Sequence, residues 1–295
     1  MKIGKLFHLT PLVDDLNAAE AFFNNTFSPL CCYRDYSTHW HRDAAILTIA
    51  DTVIEPMQPH PPADGQKATS WFRYIDKFGP KVHNIAFYVE DAEALGTRLT
   101  EAGIPWTNGG VPGNVFTYPR STAPMLEFYE PTEHRPTDPR LSPHWAALRD
   151  DFWPNIQPMG ILRLSHITVV VNDRAATLSM YKTVFEAVEL PAQPASVPGA
   201  EATFVLFGED TIIELAQPVA ADCPIREDLE TVGECVTGAT FTVRALEAVE
   251  RRLGFSETGP AWTRHGNRID FDRKATWNCQ YTLTESVLEG DPRLT

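Results

Sequence analysis

The sequence has no apolar run of the ~20 residues that a membrane-spanning helix needs, and no C-x-x-C pair. Its five cysteines are an odd number, with Cys31 and Cys32 adjacent and Cys223, Cys235 and Cys279 far apart. Neither an oxidised framework nor a thiolate zinc site fits that pattern, and a reducing compartment does. Basic residues are scarce: 25 Lys+Arg against 39 Asp+Glu leave a formal charge of −14. That is the wrong sign for a nucleic-acid backbone or an anionic membrane. The opening MKIGKLFHLTPLVDD meets an acidic pair before a signal-peptide core is complete. No glycine-rich phosphate loop is present. The expectation is a cytoplasmic protein whose partner is a small-molecule substrate, with no nucleic acid and no membrane; a homodimer is compatible with it. At 43% hydrophobic and 22% charged residues the chain has a globular composition, and 295 residues suggest two domains.

Internal repeats organise the rest. The segment HLTPLVDDLNAAEAFFNNTF, from His8, returns at His166 as HITVVVNDRAATLSMYKTVF. DTVIEPMQP, from Asp51, returns at Asp210 as DTIIELAQP with six of nine positions identical. Weaker copies start at His83 (HNIAFYVEDAEALGTRLTEAGI) and Gly238 (GATFTVRALEAVERRLGF). In three copies an aspartate (Asp15, Asp91, Asp173) follows a strand pattern and precedes a helical one, the place of an N-cap. Gly103 and Gly254 stand where a helix C-terminus takes a left-handed residue. Each helix is followed by about three short segments of strand composition, such as AAILTIA, MLEFYE and TIIELA. The unit is a strand, a helix and three strands, four times over. Two such curved units should pair around a shared concave space. A proline-rich stretch near residues 133–160, with a short helix through HWAALRDDF, reads as the inter-domain connection.

Four βαβββ units with H-x-T-x-x-V-x-D openings (from His8 and His166) and E-x-x-x-P closings (from Glu55, Glu127 and Glu214) resemble the vicinal oxygen chelate superfamily. That group includes glyoxalase I, methylmalonyl-CoA epimerase, the extradiol dioxygenases and the bleomycin-resistance proteins. The resemblance implies an α+β protein of two tandem glyoxalase-like domains, each a paired curved-sheet barrel. The N-terminal domain would span residues 1–132, the connection 133–160 and the C-terminal domain 161–295.

The resemblance also implies one divalent metal ion (Zn, Ni, Co, Mn or Fe) in the N-terminal half, held by His8, Glu55, His83 and Glu127. His8 stands five residues before the valine of V-x-D, but His83 stands six before Val89, and the five-before position is Asn84. Either a bulge restores His83 to the cavity or Asn84 faces inward; the reading leans to His83, since imidazole is the better ligand. In the C-terminal half His166 and Glu214 match, while Thr237 or Gly238 stands at the second histidine position and Gln280 at the second glutamate position. That half reads as a scaffold or a metal-free pocket. Arg34, His39, Trp40, His41 and Arg42 could line a pocket mouth or a solvated hairpin. Arg34, His41, Asn84, Tyr118 and Tyr129 are the candidate substrate contacts.

The implied chemistry is that of glyoxalase-type isomerases, epimerases and lyases. Two substrate oxygens chelate the metal, the neighbouring C–H becomes acidic, and Glu55 or Glu127 moves the proton as general base. Two alternatives stand beside it. One is an Fe(II) ring-cleaving dioxygenase using His8, His83 and Glu127; the other is a metal-free small-molecule binding protein.

Overall fold

The computed structural model describes residues 2–37, 40–131, 140, 148–255 and 260–294. Most of the expected connection therefore lies outside the described residues. Of its expected helix, the part from Leu148 onward belongs to a π-helical turn, Leu148–Ile156.

The N-terminal half runs β1 (Ile3–Leu12), α1 (Leu16–Phe27), β2 (Leu30–Ser37), β3 (Arg42–Ile49), β4 (Thr52–Ile54), β5 (Met57–Pro59), α2 (Ser70–Phe78), β6 (Lys81–Val89), α3 (Ala92–Glu101), β7 (Trp106–Thr107), β8 (Asn114–Thr117), α4 (Pro119–Thr122) and β9 (Met125–Tyr129). The C-terminal half repeats it with β10 (Ile161–Val170), α5 (Arg174–Phe185), β11 (Val188–Glu189), β12 (Ala200–Phe207), β13 (Thr211–Pro218), α6 (Arg226–Thr231), β14 (Cys235–Val243), α7 (Leu246–Gly254), β15 (Trp262–His265), β16 (Arg268–Phe271) and β17 (Gln280–Thr284). The first sheet is ordered β2-β3-β4-β1-β6-β9-β8-β7, and the second β11-β12-β13-β10-β14-β17-β16-β15. In each sheet the first strands of two βαβββ units pair antiparallel at the centre, β1 with β6 and β10 with β14. This is the α+β tandem arrangement expected from the repeats.

Local chemistry sets the element boundaries. The Asp15, Asp91 and Asp173 carboxylates accept backbone N–H groups of the first turns of α1, α3 and α5, which satisfies donors that a helix start leaves unpaired. The fourth helix, α7, starts at Ala245 with no side-chain cap. Gly103 follows α3 at φ +69 as expected. Gly254 departs from expectation: it is the last helical residue, and Phe255 caps α7 in the right-handed region. Phe255 itself is 83% exposed.

The two halves share one core. Phe22, Phe23 and Phe27 on α1 pack against Phe241, Phe271, Trp277 and Tyr281 of the second half. Reciprocally, Phe185 on α5 stacks on Phe128 of the first sheet, and the Tyr181 hydroxyl donates to the Thr122 and Ala123 carbonyls. A pseudo-symmetric pair of hydrogen bonds ties the sheets: Leu6 N–H donates to Asp210 (2.8 Å) and Leu164 N–H to Asp51 (2.7 Å). Burial pushes both aspartates above the usual carboxylate range. Each first helix thus covers the other half's sheet, and polar side chains are left for the opposite, concave faces.

Candidate functional site

Two bulges in the central strand pair decide which side chains reach the N-terminal concave face. Leu6 pairs with Phe87 and His8 with Ala86, so Phe7 is an extra residue on β1. Thr10 pairs with Asn84 and Pro11 with Val82, so His83 is an extra residue on β6. Leu6, Leu9, Val82, Ile85 and Phe87 belong to the shared core. His8, Thr10, Asn84 and Ala86 fall on the other face, and the parallel pairing of β6 with β9 puts Glu127 beside Ala86.

On that face the first unit brings His8 and Glu55 together. The His8 Nδ1 is 3.2 Å from Glu55 Oε2 and 2.9 Å from the Thr10 hydroxyl. Arg42 donates to the other carboxylate oxygen of Glu55 at 3.2 Å and also pairs with Asp35. Its guanidinium lies 5.8 Å from the ring centre of Trp71 on α2, a cation–π geometry. The second unit brings Asn84 to Glu127, with Nδ2 3.0 Å from Oε2. The His83 Nδ1 is 2.9 Å from the Asn84 Oδ1, and its ring lies edge-on to Tyr74 at 4.9 Å. The expected bulge exists, but Asn84 stands between His83 and Glu127. Burial lowers the His83 pKa to about 4, so its imidazole is neutral.

The weaker candidates separate. Arg34 points to α1, where Glu20 accepts from it at 2.7 Å. His41 occupies the β2–β3 turn at φ +48, its carbonyl accepting from His60 N–H. Tyr118 is exposed at the start of α4. Tyr129 is buried beside Phe7 and Tyr88. His39 lies outside the described residues. Arg42, grouped in the sequence with its neighbours as a pocket-mouth residue, reaches Glu55.

In donor chemistry, one imidazole and two carboxylates suit a divalent ion. In placement they do not. Among the described residues no three His, Cys, Asp or Glu side chains converge as an ion site would require. Glu55 is engaged by Arg42 and His8, and an amide occupies the second histidine's place.

The C-terminal half repeats the bulges. Leu164 pairs with Phe241 and His166 with Thr240, leaving Ser165 extra; Thr168 pairs with Gly238 and Val169 with Val236, leaving Thr237 extra. Thr237 is thus the counterpart of His83, and Gly238 of Asn84. The pairing of Gly238 with Gln280 and Thr240 with Thr282 makes Thr282 the counterpart of Glu127. This corrects the placement of Gln280, which matches Met125: the segments entering β9 and β17 differ, so counting along the sequence loses the register. Glu214 is fully buried and accepts from the Thr168 hydroxyl and the Ser196 N–H, each at 2.7 Å, and from the Ser196 hydroxyl.

One repeat escaped the reading of the sequence. D-P-R-L occurs at Asp138–Leu141 and again at Asp291–Leu294. Arg140 donates to the carbonyls of Leu6, Phe7 and Asp51, and Arg293 to those of Leu164, Ser165 and Asp210. Each arginine fastens the bulged first strand of its own half to the neighbouring D-T turn. A search for repeated tetrapeptides would have found it.

Comparison with known proteins agrees with this architecture. A mutant of 4-hydroxymandelate synthase from Streptomyces coelicolor superposes with a TM-score of 0.69 at 15% identity, covering 99% of this chain and 95% of that one. The 2,3-dioxygenase LapB from Pseudomonas sp. KL28 gives 0.56 at 14% identity, covering 99% and 96%. A hypothetical protein from Staphylococcus aureus gives 0.54 at 11%, covering 96% and 99%. At these identities the likeness is one of fold. No curated protein sequence matches the chain. The glyoxalase-like domain profile matches residues 6–185, more than half of the sequence. With the paired βαβββ units and their bulged central strands, this establishes that the chain belongs to the glyoxalase-like domain family.

Proposed function

We propose that the chain is a glyoxalase-type enzyme that moves a proton on a small oxygenated molecule, an isomerase, epimerase or lyase, at the N-terminal concave face. The observation that supports this reading is the Glu55 carboxylate, 8% exposed and held by His8, Thr10 and Arg42. A carboxylate fixed on both oxygens is a positioned base for a C–H beside a carbonyl. Arg42 presents a guanidinium next to it, which can accept the negative charge that develops on the substrate oxygen as the proton leaves. His8, in contact with the same carboxylate, can pass the proton on. Glu127, tied to Asn84 across the face, orients the substrate or returns the proton to its other side.

The test follows α-hydrogen exchange of hydroxyacetone and related α-hydroxyketones in D₂O by NMR. Enzyme-dependent exchange is expected with and without oxygen, and Glu55→Gln should slow it roughly 10²–10⁴-fold. Absence of exchange across such a panel overturns the reading.

A ring-cleaving dioxygenase is the second reading, and on fold alone it stands level with the first. Against it stands Asn84, which separates the neutral His83 imidazole from Glu127. Activity that requires both Fe(II) and oxygen, with a yellow ring-fission product from catechol, selects it. Elemental analysis of the purified protein, with His8→Ala and Glu127→Ala beside it, measures the metal expected from the family resemblance independently of either assay.

A further inference from the structure

His8, Arg42 and Glu55 are nearly closed off from solvent: their side chains are 6%, 16% and 10% exposed. A base has to be reached by its substrate, so one of the groups around this cluster must give way. Besides Glu55, Arg42 meets Asp35 on β2 and Trp71 on α2. β2 and β3 are held in one antiparallel ladder. α2 belongs to no sheet.

α2 rests on the concave face through a small contact of its own. Trp71, Tyr74 and Ile75 pack on Leu12, Ala44 and Met57, a cluster separate from the shared core. None of the residues of α2 is itself buried. The second half shows what a fixed cover looks like at the same place. Leu12 pairs with Met57 as Val170 pairs with Ala216, the equivalent positions of the repeat. Over Val170 and Ala216 the covering segment contributes Cys223 and Ile225, both buried, and Arg226 ties it to the Pro218 carbonyl. An element with few buried contacts is the first to open.

The two ends of α2 are held unequally. Past its C-terminal end, Asn278 donates to the Pro80 carbonyl at 3.1 Å and Lys81 pairs with Asp228 at 2.5 Å, a carboxylate that Arg273 also holds. Tyr74 stands edge-on to His83 at 4.9 Å. Between them and the anchor lies Gly79 at φ +72, with open space where a Cβ would be. At the N-terminal end the chain arrives through residues 61–68, which are mostly exposed. Trp71 sits in the first turn, at the loosely held end. We propose that α2 is a lid over Glu55: it pivots about Gly79, and Trp71 leaves the Arg42 guanidinium to admit a substrate and returns to close over it. Closed, the indole keeps water from the Arg42–Glu55 pair, which strengthens the attraction between them. Open, the anchored end keeps the helix in place for its return. The lid rests on the proposed role of Glu55 only in naming what is uncovered.

The test uses the full chain without substrate. Lids move in microseconds to milliseconds. With 5-fluorotryptophan incorporated, the Trp71 ¹⁹F resonance, assigned by its loss in Trp71→Phe, should show relaxation dispersion on that timescale. Trp153, fully buried in the shared core, should show none. Phenylglyoxal labelling of Arg42, read by peptide mass spectrometry, should quicken roughly tenfold in Trp71→Ala, the loss of one partly desolvated cation–π contact. Labelling of the exposed Arg120 should be unchanged. A flat profile at Trp71, dispersion of equal size at Trp153, or Arg42 labelling that ignores Trp71→Ala overturns the lid. The dispersion readout in the full-length protein holds even where Trp71→Ala fails to fold. Neither readout involves proton transfer, so the lid can fail while α-hydrogen exchange stands, and the reverse.

Discussion

Replacing Phe27 by alanine should destabilise both halves of the protein at once. Phe27 is fully buried at the end of α1, in the N-terminal half, yet three of its ring neighbours, Phe241, Phe271 and Tyr281, belong to the C-terminal half at centroid distances of 5.7, 5.8 and 5.9 Å. Truncating a buried phenylalanine costs about 3–5 kcal/mol in transfer and cavity terms. The upper half of that range is expected here, because neighbours on its own helix and on three strands of the second sheet hold the cavity open and aromatic pairs add to burial. For a chain of this size, about 2 °C per kcal/mol gives a fall in Tm of roughly 8–10 °C. Urea unfolding followed by tryptophan fluorescence and by far-ultraviolet circular dichroism should show one transition, displaced to lower urea and coincident by both probes. The tryptophans report from both halves, Trp106 and Trp277 among them. Two separated transitions, or a loss below about 1.5 kcal/mol, would refute the shared core and restore two independently folding domains.

Two further predictions concern single residues. Gly208 adopts φ +66 where the second sheet's hairpin meets β1, and a Cβ there would overlap the Gly4 carbonyl oxygen. Gly208→Ala should therefore cost about 2 kcal/mol or more, measured against Gly233→Ala, where φ is +92 but nothing lies within 4 Å; equal losses would leave strain alone as the cause. His83 has a folded pKa of about 4 against an ordinary 6.5, so the unfolded chain binds its proton first. Its contribution to stability is present above pH 6.5 and is lost as pH falls toward 4, by about 3 kcal/mol at 1.36 kcal/mol per unit. Asp51 and Asp210, with raised pKa values, act in the opposite sense above 3.8. The difference between wild type and His83→Gln in urea midpoints across pH 4–7 isolates the histidine, and parallel curves would disprove the assignment.

Much was legible in the sequence because it is written locally or repeated. The H-x-T-x-x-V-x-D and D-T-x-I-E repeats, the capping aspartates and the alternating strands define four units, since a cap or an alternation depends on neighbours a few residues away. The identity of the residues on β1 and β4 followed from the same repeats, and His8 does meet Glu55. The second unit of each half was less readable. One-residue bulges at His83 and Thr237 reverse the facing of side chains, and a bulge is a two-against-one mismatch between paired strands, which neither strand's sequence displays alone. That is why Asn84 rather than His83 touches Glu127; Thr282 rather than Gln280 matches Glu127 because the segments entering β9 and β17 differ. Charge pairing was likewise undecidable from the chain. Arg34 and Arg42 look alike in YRDYSTHWHRD, but strand alternation sends one to Glu20 on α1 and the other to Glu55. The sequence by itself determined the units and their order, because those rest on short-range periodicity. Only the tertiary structure decided that the first helices cross to the opposite sheet, that Asp51 and Asp210 clasp the two halves, and that Asn84 rather than His83 stands beside Glu127. Each of these depends on groups brought together from more than a hundred residues apart or from separate strands.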